Sequence, residues 1–273
     1  MLYRVSRIVT LVACILCFSG IGVIDLSAQQ KSLTRRYDPI VFEAYKSSAA
    51  MYGLPIAELT AYRYDAAQDR FEVIPFQVDE KEDTSPYSYF KGADGLIDSN
   101  DEIVFMPEDA GDRAGTDKWL NDAGAIGDAR TEIEIVDPLD PTKKAWVYVF
   151  RNVTNPPVAA SYMSYVAAPQ NTGADTVKGA SYVAAHNAKN GMPNYGRIVQ
   201  ANGSLTPDLI DHLKLRINGT AQIVFPIPYK ATEDRNLNKA RTRAVGGKVR
   251  IIREATAEER DQRTPGVEAL KSA

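Results

Sequence analysis

The chain reads as mainly β, with sandwich-like antiparallel sheets in one or two units and few short helices. Three observations predict this. Beyond residue 28, apolar residues mostly recur at every second position, the period of half-buried strands. Turn chemistry separates these runs, as at the polar 65–70 stretch and at Asn218-Gly219. Helical spacing is confined to 42–52 and 207–211, a turn or two each, the second with Thr206 as a cap.

In chain order, 59–64 and 71–78 flank the polar 65–70 turn and form a hairpin. Strands follow at 102–106, 131–136 and 145–150. Pro156-Pro157 and 170–178 read as loops, or as a linker between an N-terminal β unit (29–155) and a C-terminal one (156–253). In 212–217, Leu213, Leu215 and Ile217 share one face. Asn218-Gly219 offers a type I′ turn and 221–227 a returning partner. A strand at 248–252 ends the pattern, and 254–273 is a polar tail of disordered composition. A sheet stopping so abruptly also fits a shortened version of a longer β protein.

Composition narrows the function. With 273 residues, 44% hydrophobic and 25% charged, the chain can bury a full core. A net charge of −3 gives no global attraction to nucleic acid. Two cysteines and two histidines exclude a disulfide scaffold and a four-cysteine zinc site. No Gly-x-Ser-x-Gly elbow, His-Glu-x-x-His, P-loop or Gly-x-Gly-x-x-Gly occurs, so hydrolase, zinc protease, kinase and dehydrogenase readings lack support.

Residues 1–28 read as a secretory signal peptide: Arg4 and Arg7, an apolar stretch over 8–24, then Leu26-Ser27-Ala28 ahead of Gln29. The expected destination is the periplasm or the outside of a bacterial cell. An uncleaved anchor is one alternative. A lipobox at Leu11-Val12-Ala13-Cys14, with Cys14 lipidated, is another. Cleavage after Ala28 would remove Cys14 and Cys17 and leave no cysteine, with a net charge of −4.

Residues 79–128 hold fourteen acids against four bases, a net −10. Within them, Asp94-Gly95-Leu96-Ile97-Asp98-Ser99-Asn100-Asp101 matches the second half of an EF-hand or dockerin loop. An acid precedes the glycine, an aliphatic follows, and acids return at the ninth and twelfth places. That spacing suits calcium on Asp94, Asp98 and Asp101. The first and third places are Phe90 and Gly92, so further oxygen would have to come from Asp79, Glu80 or Asp112. The competing reading is an acidic loop that solvates a turn.

Two further features carry chemistry. His186, Tyr195 and Arg197 are the types a polysaccharide lyase uses to move protons on an acidic sugar; a surface loop is the plainer reading. Residues 230–253 hold eight bases and two acids. They could face an acidic glycan or another envelope component, or balance the acidic half within the chain.

Ile74-Pro75-Phe76-Gln77-Val78-Asp79-Glu80, then Asp94 through Met106, then Asp109-Ala110-Gly111-Asp112-Arg113-Ala114 carry a resemblance. The chain resembles a group of uncharacterised exported bacterial β-rich proteins. The resemblance implies a secreted β protein and brings no activity with it. The expectation is an exported, non-catalytic binding or envelope-associated β module with a structural calcium site. A glycan-active, lyase-like enzyme is the alternative.

Overall fold

The computed structural model describes residues 2–7, 29–46, 51–82, 89, 93–126, 130–168, 174–187, 192–210, 216–222, 226–232 and 240–257. The protein is mainly β, and every strand pairing described is antiparallel. Contacts divide the chain into two units. The first comprises Met1–Tyr162 with Gly247–Arg250, the second Met163–Gly246 with Ile251–Ala273.

The first unit holds two sheets. One has the order β1 (Leu2–Arg7), β7 (Thr131–Val136), β8 (Lys144–Arg151), β3 (Leu59–Asp65), β4 (Arg70–Val73). The other has the order β2 (Ile40–Glu43), β6 (Glu102–Phe105), β5 (Gln77–Asp79). Their inner faces meet in one core. Ala61, Ile133, Ile135, Ala145, Val147 and Val149 come from the first sheet, and Ile40, Phe42, Ile103 and Phe105 from the second. This is the sandwich geometry that two half-apolar sheets reach by covering each other.

The run 145–150 is apolar throughout because β8 is buried on both faces. Its odd-numbered residues enter the inner core. Trp146, Tyr148 and Phe150 enter a second, aromatic cluster with Tyr62 and Tyr64. There Phe71 lies edge-on to Tyr148 and Phe150, with ring centres 5.4 and 5.1 Å away.

Several expected elements differ. The 71–78 strand is two strands in different sheets, broken at Ile74-Pro75-Phe76, since Pro75 has no amide to give a ladder. Of the stretch 42–52, residues 47–50 lie outside the described residues. Phe42 lies on β2 with every second residue inward, and the helical part described after it is a 3-10 turn at Ala44–Lys46. No helix forms over 207–210; Asp208 instead accepts the amides of Gly196 and Ile210, each at 3.0 Å. The remainder of that stretch, Asp211, lies outside the described residues.

The second unit has a four-stranded meander and two hairpins. The meander runs β9 (Met163–Val166), β10 (Ala174–Gly179), β11 (Tyr182–Asn187), β12 (Pro193–Ile198). The hairpins are β13 (Arg216–Gln222) with β14 (Pro226–Thr232), and β15 (Ala240–Gly246) with β16 (Ile251–Ala257). Much of the stretch read as a loop, 174–178, is therefore strand. Asn218-Gly219 is not a turn: Asn218 pairs with Lys230 and Gly219 with Tyr229 within the hairpin ladder. The strand pattern also continues to Ala257, past the expected start of the tail; 258–273 and 212–215 lie outside the described residues.

Candidate functional site

The acidic loop is held by its own acids. Gly95 has φ +81°, the left-handed region that glycine enters without strain. Its amide donates to a Glu80 carboxylate oxygen at 2.7 Å, and the Leu96 amide donates to Asp94 at 2.8 Å. Asp101 is buried, and its two oxygens accept the amides of Lys81 and Asp98, both at 2.8 Å. Burial raises the Asp101 pKa, and those two amides work against the rise. Ile97 is fully buried, and it anchors the loop through its amide to Leu54 and its carbonyl from Gly53.

The structure does not bring all the expected ligands together. Asp79 is fully buried and accepts from Gln77 at 2.5 Å and from Arg250 Nε at 2.7 Å. Asp112 accepts the amides of Lys31 at 2.7 Å and Ala66 at 2.9 Å, which ties the chain after Gln29 to the β3–β4 turn. Asp79 and Asp112 are thus engaged apart from Asp94, Asp98 and Asp101, whereas Glu80 reaches the loop at the Gly95 amide. Phe90 and Gly92 lie outside the described residues. Among the described residues, no three His, Cys, Asp or Glu groups converge as a metal site.

Asp79 belongs to a charged clamp. Arg250 also pairs with Glu102, which in turn pairs with the buried Lys81 at 3.1 Å and accepts the Tyr89 hydroxyl at 3.1 Å. Burial alone would raise the Glu102 pKa, but hydrogen bonds from Arg250 and Lys81 outweigh it and hold the carboxyl low. Beside them Gln77 Oε1 accepts the amides of Val249 and Arg250, each at 3.0 Å, as a neighbouring strand would. Gly247 leaves room for this side chain: a Cβ there would stand 1.9 Å from the Gln77 amide carbon and displace the amide from these bonds.

In the second unit, β-sheet register separates the proposed lyase trio. His186 pairs with Asp175, so both lie on one face of the meander; Tyr195 pairs with Ala185 and shares the other face with Arg197. Arg197 lies over the Tyr195 ring at 5.2 Å. Asp175 is fully buried and accepts the Tyr165 hydroxyl at 3.0 Å and the His186 amide at 3.2 Å, and it pairs with Arg253. His186 Nδ1 stands 3.8 Å from Asp175, too far for a hydrogen bond, and is buried without a partner. Burial and then Arg253 lower the His186 pKa, against the opposing pull of Asp175.

Sequence reasoning missed a cleft of about 250 Å³ in the first unit, between the β3–β4 turn and residues 118–121. Its walls include Tyr64, Phe71 and Trp119, and its rim Asp69, Lys118 and Asn121. The two halves are some fifty positions apart and carry no motif. Trp119 in an otherwise polar stretch was the one available signal.

Among the described residues, no helix is long and apolar enough to cross a membrane. Searched against family models, curated proteins and solved structures, the chain matches none.

Proposed function

We propose that this protein is an exported, non-catalytic binding module whose ligand is a glycan or another cell-envelope component. The observation that carries this over the lyase reading is the division of His186 from Tyr195 and Arg197 by the sheet. A base and an acid on opposite faces cannot reach one sugar carbon, because proton transfer needs each within hydrogen-bond reach of the same substrate.

Two of the eight bases at 230–253, Arg250 and Arg253, are joined to Asp79 with Glu102 and to Asp175. They serve the frame and not a polyanion. Calcium is part of the proposal, as a brace on the loop carrying Asp94, Asp98 and Asp101. What supports it is the acid spacing and the left-handed Gly95; the amides already capping Asp94 and Asp101 give the loop an internal hold as well.

The test is retention of the exported protein on immobilised envelope polysaccharides, run beside an ultraviolet assay for unsaturated sugar products. Retention with no rise in absorbance is the expected result. A rise in absorbance that His186→Ala abolishes would return the lyase.

A further inference from the structure

We propose that the cleft between the β3–β4 turn and residues 118–121 binds a single neutral pyranose ring, the end of a glycan. This rests on the binding-module reading and narrows its ligand from any envelope component to an uncharged sugar.

The cleft joins two surfaces that a sugar ring requires together. Tyr64 and Phe71 stand 5.1 Å apart between ring centres, and Trp119 lies edge-on to Phe150 at 6.3 Å, so the walls are rigid aromatic carbon. A pyranose presents C–H groups on its faces, which pack on such rings. Around its edge it presents hydroxyls, each a donor and an acceptor. The rim supplies complements to both: the Asp69 carboxylate accepts only, the Lys118 ammonium donates only, and the Asn121 amide does either.

The rim is also preorganised. Asp69 has φ +49°, a left-handed conformation uncommon outside glycine that Asp and Asn tolerate best. It accepts the Tyr64 hydroxyl and, at 2.8 Å, the Lys118 ammonium. Lys118 and Trp119 are fixed from beneath by Arg130, which donates to the carbonyls of Gly115 and Lys118 and lies over the Trp119 ring at 5.5 Å.

Charge and size select the ligand. Lys118, Arg70 and Arg63 stand against Asp69, Glu72 and Asp117 around the cleft, Arg70 and Arg63 sharing Glu72 and Asp117 lying in the field of Lys118, so no net charge is left over for a uronate or a phosphate. The volume lies just under the range of sites for drug-sized ligands, a size that suits one ring.

Saturation-transfer NMR on the whole exported chain tests this, with methyl glycosides of glucose, galactose, mannose and N-acetylglucosamine as probes and galacturonate as the charged comparator. At least one neutral glycoside should bind at millimolar level, and Asp69→Asn should weaken it about tenfold or more. Asn keeps the left-handed turn, and an unchanged circular dichroism spectrum confirms the fold. Equal binding to wild type and Asp69→Asn, no binding by any neutral glycoside, or preference for galacturonate would each overturn the assignment. Retention on polysaccharide separates the two claims. Wild type held and Asp69→Asn released supports both. Both held removes the cleft and keeps the module; wild type not held removes the module reading itself.

Discussion

His186 joins burial to a pH-dependent property of the fold. Its Nδ1 is enclosed beside Asp175 without a hydrogen bond, and its pKa lies below the ordinary 6.5. In the unfolded chain the imidazole takes a proton as pH falls through about 6.5, while the folded chain resists until lower. Unfolding therefore binds more protons, and stability falls as pH drops from about 7 to below the folded value. Denaturant titrations between about pH 7.5 and 5 should show this slope in the wild type and a flatter one in His186→Gln; equal slopes would contradict it. The same residue shows where sequence stops informing. Nine positions separate His186 from Tyr195, close enough to propose a site. The facing, however, depends on the register that pairs Ala185 with Tyr195, which composition does not announce.

The strands at 59–64, 102–106, 131–136 and 145–150 could be read because each carries a period-2 signal or a continuous apolar run. The chain's change of sheet at Pro75 was visible only as a proline inside a run. The meander was hidden by its composition: Ala174–Gly179 and Pro193–Ile198 are too rich in small and polar residues to show a period. The clamp on Gly247–Arg250 is stronger in structure than any local pattern predicts, because its partners lie more than 140 positions upstream. Replacing Arg250 by Met should cost about 3–5 kcal/mol, since Asp79 would remain buried as an uncompensated anion. Adding Asp79→Asn should recover part of that loss in the double variant, and chemical unfolding of the three variants measures it. Additive losses would show that the pair is not coupled.

At the scale of the molecule, calcium should act on the melting of the whole chain. A ligand at a hundred times its Kd adds about 2.7 kcal/mol to the folded state, which for a chain of this size raises Tm by several degrees. Scanning calorimetry in millimolar calcium and in chelator should show that rise, and Asp98→Ala should abolish it. Identical midpoints would leave the loop standing on its amides alone.

The first unit is completed by four residues that follow the bulk of the second in the chain. This gives assembly a sequence in time. A chain emerging N-terminus first presents Asp79 and Gln77 to solvent long before their partners exist, and the β5 side of the smaller sheet waits for about 170 residues to pass. The first sandwich can collapse early but cannot close its charges early. Closure of that bond is then a late checkpoint, reached only by a chain delivered at least as far as Arg250. A nascent or clipped product ending before it leaves Asp79 without its guanidinium partner, and the smaller sheet without the strand-like backing that Gln77 receives.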